Sequence, residues 1–144
     1  MNFQLVKILT VLGILFLITG CSKYKEEVRN NPFFHCKEKS TGLILDSNFT
    51  DHDWSSFTSN GEKFVRFSGF SKPIFNSLWR NIYDRNVGDE FFDFTIYFKY
   101  LTDPAIGWSI YNVNYNGQSL NKFLGPSWAF QVGPDLEKGL CRNS

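Results

Sequence analysis

The alternation of apolar and polar positions is clearest over Phe91 to Leu101. Phe92, Phe94, Ile96, Phe98 and Tyr100 fall on one face, and Phe91, Asp93, Thr95, Tyr97 and Lys99 on the other. A period of two is the signature of a strand, here with one apolar and one mixed face, and it reads as the centre of a sheet. Phe64 to Phe70 is a second strand, preceded by the turn signal Asn60-Gly61. Trp108 to Tyr115 is a third. Its apolar positions change phase between Ile110 and Tyr111, which predicts a bulge. Asn116-Gly117 then suits a type I′ hairpin turn. Ser119 to Leu124 is expected to return, Trp128 to Val132 to form a last strand, and the short apolar run Leu43-Ile44-Leu45 to form one as well.

One segment has the other period. Ile74, Phe75, Leu78, Trp79, Ile82 and Tyr83 recur at helical spacing, with Asn76, Ser77, Arg80, Asn81 and Asp84 on the opposite side. This predicts a helix of about three turns, capped by Ser71, with Pro73 in its first turn and Gly88 just past its end. The expected fold class is therefore α+β: a mainly antiparallel sheet with one amphipathic helix packed on it.

The N-terminus has neither period. A short basic start ending at Lys7 is followed by the uncharged run Ile8 to Ile18. Eleven residues at 1.5 Å each reach only about half of a ~30 Å hydrocarbon core, which favours the apolar part of a signal peptide over a spanning helix. Leu17-Ile18-Thr19-Gly20-Cys21 follows, and it resembles the lipobox of bacterial lipoproteins. The resemblance covers residues 1–21 alone. It implies cleavage between Gly20 and Cys21, a diacylglyceryl group on the Cys21 thiol and an acyl chain on the new amine. Two or three chains hold durably at ~0.8 kcal/mol per buried CH₂. Ser22, rather than Asp, after Cys21 implies passage to the outer membrane in an enteric-type host. The organisation that follows is a removed signal peptide over 1–20, a lipidated N-terminus and short polar tether over 21–32, and a single small globular domain over 33–144.

With Cys21 carrying lipid, Cys36 and Cys141 remain as an even pair in an exported chain, which favours a disulfide. Closing a loop of about a hundred residues is worth roughly 4–5 kcal/mol in the chain-entropy account. Two buried thiols are the alternative. A metal site is the other, although His35 and His52 offer no zinc-like spacing.

Charge removes further classes. The chain carries 15 basic and 14 acidic groups, and loss of Lys7 with the signal peptide leaves 14 of each. Such a balance excludes a polybasic binder of nucleic acid or anionic lipid. No G-x-S-x-G, phosphate loop or H-E-x-x-H occurs, and no catalytic or metal-binding residue is assigned. Asp51-His52-Asp53 is the most enzyme-like stretch, yet three consecutive side chains converge poorly, and a solvated turn is the expected outcome. Nothing calls for a cofactor beyond the covalent lipid.

Aromatic content is the feature left over. After Gly20 the chain has 24 Phe, Trp and Tyr against 19 Val, Ile and Leu. Most must fill the core, and rings left outside would anchor a protein partner or stack on sugar. Trp54, Tyr111, Tyr115 and Trp128 are the candidates. The expectation is a non-enzymatic lipoprotein, membrane-anchored on the periplasmic side of the outer membrane, that binds an envelope protein, with a glycan as the other ligand class. An inhibitor or immunity-type protein against a hydrolase or toxin is one alternative. An accessory lipoprotein of a secretion or conjugation complex, or a small glycan-acting enzyme using Asp51, Asp53 or Glu90, are the others.

Overall fold

A computed structural model describes residues 23–33, 35–103, 107–120 and 133–144. In order these hold a helix over 23–30 (α1), β1 (Pro32–Phe33), β2 (Cys36–Ser40), α2 (Thr41–Asn48), β3 (Phe49–Ser59), β4 (Glu62–Ser71), α3 (Pro73–Ile82), β5 (Asp93–Tyr100), β6 (Trp108–Tyr115), β7 (Gln118–Ser119) and α4 (Gly133–Asn143). The strands β3 to β7 pair antiparallel in sequence order, with β5 in the middle, and β1–β2 form a separate small hairpin. The architecture is α+β and mainly antiparallel, as expected.

Alternation sorts the sheet into two faces. On the inner face Phe49, Trp54, Val65, Phe67, Phe94, Ile96, Phe98 and Val113 are buried, and Phe75 and Trp79 of α3 pack onto them. Phe94 is central among these rings, with its ring centroid 4.8 Å from Phe75, 5.1 Å from Trp79 and 5.3 Å from Phe49, and Phe49 in turn lies 4.6 Å from Phe75 and 5.3 Å from Phe67. Edge-on and offset contacts of this kind add to the burial of the rings themselves. Val28 of α1, Phe33 of β1, Ile44 and Leu45 of α2, and Leu136 and Leu140 of α4 close the same core.

Both hairpin turns predicted from Asn-Gly pairs are present, with Asn60 and Gly61 at φ 51° and 76° and Asn116 and Gly117 at 48° and 74°. The bulge predicted in β6 is present too: Tyr97 pairs with Asn112 and Phe98 with Ile110, so Tyr111 is the extra residue. A second bulge lies in β3. Thr50 pairs with Phe70 and Asp53 with Ser68, which sets Asp51 and His52 against Gly69 alone. Asp51 takes a positive φ of 47° there, a conformation that Asp and Asn tolerate better than most residues.

Several expectations are corrected. Leu43-Ile44-Leu45 belongs to α2, because Ser40 caps the helix by accepting the Leu43 N–H and the Leu43 side chain points outward. A run of three apolar residues has no period to distinguish helix from strand. Lys72, not Ser71, caps α3, while the Ser71 hydroxyl accepts the Phe92 N–H at 3.0 Å. Among the described residues the return strand is Gln118–Ser119; the rest of the expected return, Asn121 to Leu124, and the strand expected over Trp128 to Val132 lie outside the described residues. Among the described residues, α1, α2 and α4 are helices that the sequence did not lead one to expect. In α4, Pro134 follows the first residue, Asp135 lies in the first turn and Arg142 in the last, which complements the helix dipole. The segment expected as a polar tether is largely α1, with Val28 only 2 % exposed in the core.

The disulfide Cys36–Cys141 joins β2 to α4, with Cα atoms 6.0 Å apart. Around it, the His35 N–H donates to Glu137 at 2.9 Å and Lys39 Nζ to the Cys141 carbonyl at 3.3 Å. No helix among the described residues is long and apolar enough to cross a membrane.

Gly69 makes the second bulge sterically feasible. A Cβ there would lie 3.0 Å from Phe49 Cβ, 3.2 Å from the Thr50 carbonyl and 3.3 Å from His52 Cβ. Gly69→Ala is therefore expected to destabilise the protein by about 1–3 kcal/mol, read as a lower urea midpoint at unchanged slope. An unchanged midpoint would mean that the bulge yields at no cost.

Candidate functional site

The described helices and the small hairpin contribute their buried side chains to the inner face, and no described element covers the outer face of the sheet. Period-two alternation places Phe57 of β3, Phe64 and Arg66 of β4, and Tyr97 and Lys99 of β5 there. The β6 bulge adds Tyr111. Phe57 and Phe64 stack with centroids 5.2 Å apart and planes 11° from parallel. Tyr97 meets Phe57 edge-on at 6.4 Å, and Tyr111 meets Phe64 at 5.6 Å. Phe64 is thereby nearly covered, whereas Phe57 and Tyr111 are 38 % and 49 % exposed.

Charges frame these rings. Lys99 Nζ lies 5.4 Å from the Tyr111 ring centroid and 2.8 Å from Glu62. Arg66 lies 3.6 Å from Asp53 across the β3–β4 pair. Toward β7, Asn112 donates to Asn114 and to Ser119 at 3.1 and 2.9 Å, forming a polar strip beside the rings. An apolar centre with a polar rim is the composition of a small binding surface.

The four aromatic candidates separate. Tyr111 is exposed on the open face, as expected. Trp54 is not: it is only 8 % exposed, its ring is 4.9 Å from Phe67, and its Nε1 donates to Asp46 at 3.4 Å. The cause is the second bulge, which shifts the phase of β3 by one residue and turns Trp54 from the outer face to the inner. Tyr115 is also on the inner side, against Trp79, Tyr83 and Phe92, and its hydroxyl donates to Asp84. Trp128 lies outside the described residues, as do Gly20 and Cys21. Phe57 and Tyr97 were missed, although the open side of a mixed-face strand and its neighbours was the signal that could have found them.

Asp51-His52-Asp53 forms no solvated turn. It crosses the β3 bulge, and His52 Nδ1 comes within 3.6 Å of Asp46, which also accepts from Arg29 at 3.1 Å. Arg29 lies over the Trp54 ring at 5.2 Å. An open cavity of about 350 Å³ is lined by Lys25, Glu26, Arg29, His52, Asp53 and Trp54. Its charges are balanced, and its clearest contacts hold α1 against β3. Asn48, which with Phe49 and Thr50 matches the N-x-S/T glycosylation pattern, is fully buried, with its amide donating to Ile44 O at 2.8 Å. Among the described residues no three of His, Cys, Asp and Glu gather around a point that could hold a metal ion.

The Tyr115–Asp84 contact perturbs both groups. Burial first, and then the Asp84 carboxylate, push the Tyr115 phenol up to about 12. The Tyr115 hydroxyl first, and then the Asn86 N–H, hold Asp84 below its ordinary 3.8. No known family model, curated protein or solved structure matches this chain.

Two predictions follow from the sorting of rings. Trp54→Ala is expected to cost about 3–5 kcal/mol as a core deletion, and Tyr111→Ala less than about 1 kcal/mol as a surface one, both read from urea unfolding. Equal costs would contradict the assignment of faces. Tyr115→Phe should flatten stability at both pH extremes. The Asp84 contribution is present above pH 3.8 and is lost as pH falls through its lower folded value. The Tyr115 contribution is present below pH 10.0 and is lost as pH rises through about 12. Unfolding curves against pH that are identical for the variant and the wild type would show that the contact carries no linkage.

Proposed function

We propose that this chain is a lipid-anchored protein of a bacterial envelope, held at the periplasmic side of the outer membrane. On this reading it is a non-catalytic module that binds an envelope protein through the open sheet face. The observation that carries the binding reading is the one-sided sheet: Phe57 and Tyr111 are exposed on the face opposite the helix-covered core. Support for the anchor comes from Leu17-Ile18-Thr19-Gly20-Cys21 after a short uncharged run, and the Cys36–Cys141 disulfide agrees with an oxidising compartment.

Dimensions bound the partner. Four strands of eight to eleven residues, spaced ~4.8 Å apart, offer roughly 500 Å². A standard interface takes about 800 Å² from each partner. The contact is therefore small unless the partner reaches past the rim, and its energy must be concentrated in the exposed rings. Tyr111, with Lys99 beside it, is the natural anchor. A small apolar centre with a charged rim fits a folded protein surface better than a carbohydrate, whose rings need flat aromatic faces presented outward. Tyr111 and Phe57 are instead engaged edge-on or stacked with neighbouring rings.

The test uses a photo-crosslinking residue at Tyr111 in the full-length protein at native expression, with Leu43 on α2 as the control on the helical side. One discrete adduct from Tyr111 is expected, absent from Leu43 and lost in Phe57→Ser. In parallel, Cys21→Ala should shift the protein to the soluble fraction and abolish the acyl mass. Adducts at Leu43 but not Tyr111 would overturn the binding face, and an unacylated, soluble wild type would overturn the anchor.

A further inference from the structure

The strand ends that carry the β3–β4 turn and the β5–β6 loop hold a second aromatic cluster, on the inner side and next to α1. Tyr24 of α1 lies 6.0 Å from Trp108, and Trp108 lies 5.3 Å from Tyr100. Lys63 Nζ sits between them, 4.8 Å from the Tyr24 ring and 5.5 Å from the Tyr100 ring. All four side chains are half-buried, and Lys23 beside them is exposed. Tyr24 and Trp108 pack against the rim of the core, whereas Lys63 and Tyr100 lie outside it. Together they form a ring-and-cation group at one end of the sheet.

We infer that this end of the domain rests in the headgroup layer of the membrane that holds the anchor. The inference rests on the lipid-anchor reading and deepens it. Lys23, the first described residue of α1, is two Cα–Cα steps from Cys21 and so within about 7.6 Å of it, whatever the conformation between them. The polar headgroup zone on each side of a bilayer is about 5–8 Å thick. A thiol acylated at Cys21 thus brings the start of α1 to the bilayer surface, and the ten-residue spacer that would have lifted the domain clear is itself folded.

The residues brought there suit that place. Tyr rings concentrate at the membrane–water boundary, with an apolar body toward the chains and a polar hydroxyl toward water, while the Trp108 indole N–H is buried and the ring serves as apolar support. A lysine stem lies along apolar surface while its ammonium reaches the headgroups. The orientation has a consequence for the open face. Phe64 pairs with Lys99, one residue from Tyr100 on β5, so Phe57, Phe64 and Tyr111 lie in the half of the sheet nearest the anchor. The sheet stands on the bilayer with its binding face turned sideways, toward a partner that is itself at the membrane.

The experiment uses acylated full-length protein, with the Cys36–Cys141 disulfide closed, in vesicles of phosphatidylethanolamine and phosphatidylglycerol that carry a headgroup nitroxide. A fluorophore is placed at Ser59→Cys, beside the β3–β4 turn, or at Gln118→Cys, level with Phe94 near the opposite end of β5. The two sites are separated by roughly 20–25 Å along the strands. Both positions are exposed, so labelling leaves the core intact. The expected result is quenching several-fold stronger at Ser59 than at Gln118, independent of the protein-to-lipid ratio. Equal quenching in protein that floats with the vesicles would overturn the orientation and leave the anchor standing. Protection of Ser59 that grows with protein density would assign this end to a second copy, and overturn it too. Protein that carries no acyl mass and does not float would remove the anchor reading, and the inference with it.

Discussion

Which aromatic rings are inside this protein depends on two β-bulges. A regular strand alternates strictly, so one inserted residue moves every later side chain to the other face. In β3 the pair Asp51 and His52 opposite Gly69 carries Trp54 into the core, where it meets Phe67 and reaches Asp46. In β6 the extra residue is Tyr111, which keeps Ile110 and Val113 both facing inward and leaves the phenol outside. With so many rings and so few aliphatic residues, this sorting decides both core volume and surface character. The β3 bulge turns Trp54 inward and Phe57 outward, and the β6 bulge adds Tyr111 to the open face.

Much of the sheet was legible because its signals are local. Strand β5 alternates without interruption, both Asn-Gly turns need positive φ at two adjacent residues, and Ile110-Tyr111 breaks phase visibly. Helix α3 combines a clear period with a proline at its start. The errors lie where a nonlocal partner decides. Nothing near Asp51 announces a bulge, since its steric permission comes from the missing Cβ of Gly69 on the next strand. Trp54 was therefore expected among the rings left outside. Tyr115 follows the Asn112–Asn114 polar pattern to the inner edge, where Asp84 beyond α3 accepts its hydroxyl. The run Leu43–Leu45 is too short to show a period. In α4, Leu136 and Leu140 did carry the helical spacing, flanked by Pro134 and Arg142, but the segment reads as polar because Gly139 contributes no side chain.

That absence is itself structural. A Cβ at Gly139 would overlap the Leu78 Cδ1 methyl and come within 3.0 Å of its Cγ, so α3 and α4 approach each other through a glycine. The disulfide then ties α4 to β2, and α1 packs Val28 into the same core. The beginning and the end of the described chain are thus fastened to one side of the sheet. On the other side no described element covers the sheet, and that is the face to which the proposed binding role is assigned.

The most direct test of that account is hydroxyl-radical footprinting of Phe57 and Tyr111, compared between intact envelopes and the purified protein. The account predicts ready modification of both rings in the purified protein and strong protection in the envelope, with Trp54 and Tyr115 poorly modified in either. Equal modification of Phe57 and Tyr111 in the two settings would contradict it, since the open face would then meet only water where the protein works.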